Sequence, residues 1–218
     1  MPITKGLDKL VKYNNRSIKD LTTTPTAAGG GDTGALVHIK TLTASSSATL
    51  SFVDGTDGVV LDDTYPIYKF EFIDIHPATD NTSLGFQANA AGASGYNETI
   101  TSTTFLAYHN EGDGDTALTY AASMDQAQGT AFQAISGAVG NDNDQTTSGE
   151  LWLYGISSTT FVKHFMSTCV LSNPSDYMHN FFSAGYFNLT SALDEFQFKM
   201  SSGNIDAGKI KLYGIKDS

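Results

Sequence analysis

The stretch DEFQFKMSS at 194–202 places Phe196, Phe198 and Met200 at every second position, with Glu195, Gln197 and Lys199 between them. Only an extended backbone, whose side chains repeat every two residues, sends such a series to one side, so the segment reads as an amphipathic strand. YKFEFIDI at 68–75 has the same form, with Tyr68, Phe70 and Phe72 on one face and Lys69 and Glu71 on the other. Similar short runs, rich in aromatic and β-branched residues and bounded by Gly, Asn, Asp and Ser, occupy 36–43, 48–53, 83–90, 98–108, 117–123 and 129–139. Further runs cover 150–156, 160–170, 180–190 and 208–215. About twelve strands without intervening helices predict an all-β fold, an antiparallel β-sandwich of jelly-roll-like form. The turn residues of SSGNIDAGK predict that the last two strands form a hairpin, with Ile210 and Leu212 inward and Lys209 and Lys211 outward.

LWLYGI at 151–156 and IKLYGI at 210–215 are nearly the same six letters. Their upstream sequences, AFQAISGAV and DEFQFKMSS, do not align, and no wider period exists, which excludes a repeat architecture. Each copy reads as a strand ending where Leu packs inward and Gly permits a bend or a close neighbour. LWLYGI is apolar on both faces and is expected to be a central strand or one covered by another subunit. Its mid-strand position places Trp152 in the expected core.

Charge divides the chain. Residues 1–20 hold five bases (Lys5, Lys9, Lys12, Arg16, Lys19) against two acids (Asp8, Asp20), a balance of +3. The remaining seven bases and 21 acids give −14, so a basic arm precedes an acidic body. Leu7, Leu10 and Val11 can line one side of a short helix, with Ile18 and Leu21 beyond a break at Asn14-Asn15. So short a helix is marginal alone and orders only against a surface, which makes residues 1–21 a candidate docking arm. A Thr, Pro and Gly linker follows over 22–35, and the sandwich occupies 36–218. The arm is therefore read as extended or partly helical.

Chemistry has few footholds. The five His never form HxH or HExxH, and no G-x-S-x-G elbow is present. Cys169 lies in an apolar strand and reads as an inert thiol; alone, it forms no internal disulfide. Acidic loops offer Glu111, Asp113 and Asp115, then Asp142 and Asp144, oxygen ligands that suit Ca²⁺. The EF-hand loop is incomplete, and Asp, Asn and Gly also serve tight turns. Trp152 and Tyr96 are candidate platforms for stacking sugars. The acidic body repels nucleic acid, and no apolar segment is long enough to span a bilayer. No motif joins an acid, a base and a nucleophile, so the chain reads as a non-enzyme, with no required cofactor.

The stretches IHPATDNTSLGFQANAAGASGYNETITST, AYHNEGDGD, SSTTFVKHF and FKMSSGNIDAGKIKLYGI resemble a family of small virion proteins of tailed marine bacteriophages, described as tail-fibre-like or structural. The resemblance covers about residues 36–216, and the leading NNRSIKDLTTTP is similar as well. It implies a particle component, a head decoration or a tail or fibre part, assembled in the host bacterial cytoplasm. Capsid, tail or portal-associated proteins are the implied partners, and symmetric copies, a trimer foremost, are the expected state. The alternative is a lectin-like module that recognises host surface glycans.

Overall fold

The computed structural model describes residues 35–217, and these form thirteen strands and no helix. The expected docking arm and nearly all of the linker lie outside the described residues. In chain order the first strands are β1 (Leu36–Thr43), β2 (Leu50–Val53), β3 (Ile67–Pro77) and β4 (Leu84–Ala90). Then come β5 (Ile100–Asn110), β6 (Thr116–Tyr120), β7 (Ala127–Gly129), β8 (Gln133–Ala134) and β9 (Thr147–Tyr154). The chain closes with β10 (Lys163–Ser172), β11 (Tyr177–Phe187), β12 (Leu193–Met200) and β13 (Ile205–Ile215).

Two antiparallel sheets result. The large one runs β1-β13-β3-β9-β10-β11-β5-β6, with β7 paired to β5, and the small one runs β2-β12-β4-β8. The strand orders β1-β13-β3-β9 and β2-β12-β4-β8 lie in opposite sheets, and the chain passes between the sheets at β1–β2, β2–β3, β3–β4, β4–β5, β7–β8, β8–β9, β11–β12 and β12–β13. That alternation is the double Greek key of a jelly roll. Beyond β9 the large sheet continues through β10, β11, β5 and β6, strands added between the steps of the basic pattern.

The expected final hairpin is not formed: β12 pairs with β2 and β4, whereas β13 pairs with β1 and β3. Residues 201–204 are a corner between sheets, with Gly203 at φ 69. Four residues easily cover the roughly 10 Å that separates packed sheets. Both strands still turn Phe196, Phe198, Ile210 and Leu212 inward, because inward burial is the same for a hairpin and for a corner. The β1–β2 connection makes the parallel journey beside it, held by Ala44 N–H to the Gly208 carbonyl and Ser46 N–H to the Asp206 carbonyl, each 2.9 Å.

The strand expected over 129–139 is also reduced, to β8 and the end of β7. The fully buried Gln133 side chain donates to the Met124 and Ala134 carbonyls, both 2.9 Å, and accepts from the Ser102 hydroxyl at 2.6 Å. These bonds stabilise an irregular backbone that carries Ile135 and Val139 into the core under the added strands.

Aromatic rings fill the space between sheets. Phe70 of β3 lies 5.0 Å from Phe52 and 4.9 Å from Phe198, both edge-to-face, and 5.8 Å from Phe196. Phe86 meets Phe165 at 5.1 Å, extending the seam to β10. The two LYGI segments solve different problems. Gly155 takes a left-handed φ of 58 and ends β9 in a turn, whereas Gly214 lies within β13 beneath the Tyr65 ring, where a methyl group would collide. Phe70→Ala removes the ring shared by three partners; we expect it to cost about 3–5 kcal/mol in urea unfolding without changing the strand signature in circular dichroism.

Candidate functional site

The acidic loops gather at one end of the sandwich, but most of their polar groups are occupied by turns. Asn110 Oδ1 accepts from Gly114 N–H at 2.9 Å and Asp115 N–H at 2.8 Å, and Asp113 sits at φ 55. The exposed Asp113 pairs with His109 at 3.1 Å, and Asp115 accepts from the Tyr177 hydroxyl at 3.0 Å. A cleft of about 520 Å³ brings Glu111 together with Asp142 and Asp144, and adds Asp176 from the β10–β11 turn. Glu111 N–H donates to the Asp176 carbonyl at 2.9 Å, which joins the two turns. Asp176 escaped the sequence reading because NPSD carries only one acid and looks like an ordinary turn. Three of the five expected ligands thus share a cleft, while Asp113 and Asp115 are not among its lining residues. Among the described residues, no three His, Cys, Asp or Glu side chains converge as a metal-binding group.

Trp152 is not a core residue. Strict alternation along β9 sends Leu151 and Leu153 into the core and turns Glu150, Trp152 and Tyr154 to the outer face of the large sheet. The half-buried Trp152 ring carries the Lys69 ammonium 5.2 Å from its centre. Lys69 also donates to Glu150 at 2.7 Å, and this bond, aided by the Trp152 indole, holds the Glu150 carboxyl below its usual range. Across β10 and β11 the groove continues to Met166, Phe182 and Phe105, enclosing about 390 Å³. Phe105 and Phe182 stack at 5.0 Å with their planes 12° apart.

Tyr96 lies elsewhere. Its hydroxyl is drawn to Glu195 and Ser51, residues of the small sheet, and burial first, then the Glu195 bond, raises its pKa. Trp152 therefore lies on the large sheet, whereas Tyr96 sits in the β4–β5 connection beside the small sheet, and the two do not form one platform. The remaining candidates, Lys5 through Lys19, lie outside the described residues.

Inside, Cys169, Lys163 and Asp194 are among the groups held away from their ordinary ionisation. Cys169 is fully buried on β10, and desolvation pushes its thiol up to about 12. The amine of buried Lys163 donates to the Phe161 carbonyl at 2.9 Å and the Leu189 carbonyl at 3.3 Å, and burial lowers its pKa. Asp194 keeps Oδ1 buried without a hydrogen-bond partner; desolvation, then Glu195 and Asp54, raise its pKa.

No protein-family model, curated protein or solved structure matches the chain.

Two tests follow from the interior. Cys169 should resist a thiol reagent at pH 8 in the native state and react once the chain is unfolded in denaturant; rapid native labelling would contradict a closed core. Asp194 binds its proton more tightly folded than unfolded, so its stabilising contribution is present below the ordinary Asp value of 3.8 and is lost as pH rises through the raised one. Asp194→Asn should therefore gain stability relative to the parent at pH 7, with the gain shrinking at pH 3.5, in paired denaturation curves.

Proposed function

We propose that the chain is a non-enzymatic structural protein of a bacteriophage virion, docked on the particle by residues 1–34 and displaying the jelly roll. What supports this reading is that, among the described residues, the buried core runs from Ala44 to Leu212. The unit Ala35–Ser218 is compact by itself. A basic arm ahead of an acidic body separates attachment from display, and an acidic surface limits particle aggregation. The sequence resemblance to virion components points the same way.

Recognition of host glycans is the second reading, favoured by the outward position of Trp152 beside the charged Glu150. An aromatic face with a neighbouring carboxylate supplies stacking and an acceptor for sugar hydroxyls. A glycan panel read against Trp152→Ala tests it.

Deleting residues 1–34 should leave a folded β protein that no longer enters particles, whereas the full chain should be found on purified phage by immunogold labelling. Incorporation of the truncated chain at the normal level would overturn the arm's role. Absence of the full chain from particles would overturn the virion reading.

A further inference from the structure

The added strands present a face unlike the rest of this acidic chain. Outward positions alternate without a register break along β10–β11, β11–β5 and β5–β6. Read across those four strands, not one outward residue is Asp, Glu, Lys or Arg, although such residues make up 16% of the chain and its net charge is −11. Most of the exposed large hydrophobic side chains of the described residues lie here: Phe105, Leu118, Tyr120, Met166, Val170 and Met178. Leu118 is 72% exposed and Met166 55%. Charge resumes along the border, where Lys69 bridges Glu150 and Glu71 on β9 and β3, the Tyr120 hydroxyl donates to Asp125, and Asp113 pairs with His109.

We infer that this face is the contact surface for a second copy of the chain, packed sheet to sheet. Four considerations select that occupant. First, two copies of a protein at −11 repel each other through most surfaces, and a charge-free face removes that repulsion where they touch. Second, an apolar sheet face is complementary to itself, so the same patch serves both partners in an isologous contact. Third, the size is right: the four charge-free strands together with β9, which adds Trp152 and Tyr154 beside the bordering Glu150, are about 4.8 Å apart and paired over about eight residues, a flat footprint of roughly 650 Å² before side-chain relief. A standard interface takes about 800 Å² per partner, while the largest patch on an ordinary monomer is about 300–600 Å². Fourth, aromatic and Met side chains are enriched and charges are absent, the composition of an interface centre.

Other occupants fit less well. The leading arm is basic, and its complement is the acidic surface of the body rather than a face without charge. A sugar ring uses one or two aromatic platforms and leaves most of a five-strand face in water. The open edge of β6, whose TALTY sequence carries no charge or Pro, adds a second reason for cover, since such an edge invites pairing with another chain. An isologous pair also differs from the trimer expected above, because a threefold contact joins two different patches.

Sedimentation equilibrium and native mass spectrometry of the full chain at micromolar concentration test the inference. The parent should form dimers, or larger even-numbered assemblies built from them. The double variant Phe105→Glu/Met166→Glu, at exposed positions that leave the core untouched, should weaken association by about thirtyfold or more while keeping its β-sheet circular dichroism. Phe161→Glu serves as the control: its side chain is equally exposed at 72% but lies in the β9–β10 connection, and this variant should associate like the parent. If the double variant misfolds, hydroxyl-radical footprinting of the parent replaces it, with Phe105, Met166 and Met178 protected on concentration and Phe161 not. A monomeric parent at 100 μM, a trimer, or an oligomer indifferent to the double variant would overturn the inference. So would dimers dissociated by a saccharide bound at Trp152, which would assign the face to a glycan.

Discussion

Phe70 stands where the two sheets meet, with Phe52, Phe196 and Phe198 of the small sheet arranged about it. Each edge-to-face pair contributes about 0.5–1.5 kcal/mol beyond the area it removes from water. The rings also act as spacers. Because Phe70 faces β2 and β12, those strands must lie over β3, and the corners at β1–β2 and β12–β13 follow from that placement. The extension of the large sheet depends on the same seam, since Phe86 of β4 carries it to Phe165 on β10 and Phe187 on β11.

That extension has a consequence for the outer surface. A four-stranded jelly-roll face leaves little flat area, whereas β10, β11, β5 and β6 double the width of the sheet on one side only. The inner side of the added strands is covered by the segment around Ile135 and Val139, with Gly137 seated against the Phe181 ring. Buried Gln133 and Gln87 make this cover possible. Gln87 donates to the Glu98, Thr130 and Ala131 carbonyls and thereby satisfies backbone that belongs to no regular ladder. The outer side has no equivalent cover among the described residues, which is why its aromatic side chains stand in solvent.

The acidic loops show how composition alone misleads about chemistry. Asn110, Asp113 and Asp142 occur where a cation site would want them, yet Asn110 Oδ1 is engaged by two backbone N–H groups and Asp113 adopts a left-handed φ. The residues that favour tight turns are the residues that ligate hard cations, so the letters are shared by both purposes. Convergence in space separates the two, and only Glu111, Asp142 and Asp144 of the five reach one cleft.

From the sequence by itself came the fold class, the facing of most strands and the inertness expected of Cys169. The period-2 alternation in 68–72, 194–200 and 209–215 is a local property, because a strand with one apolar side has a single way to bury it. Even the unrelated roles of the two LYGI glycines follow from the need for a missing Cβ. Tertiary structure decided which strands are partners. It moved β12 and β13 into different sheets, reduced 129–139 to fragments and turned Trp152 outward. Pairing is set by long-range packing, and a four-residue corner and a hairpin bury the same side chains. The charge-free face was hidden for the same reason: its residues come from four strands, and no window of sequence holds more than two of them.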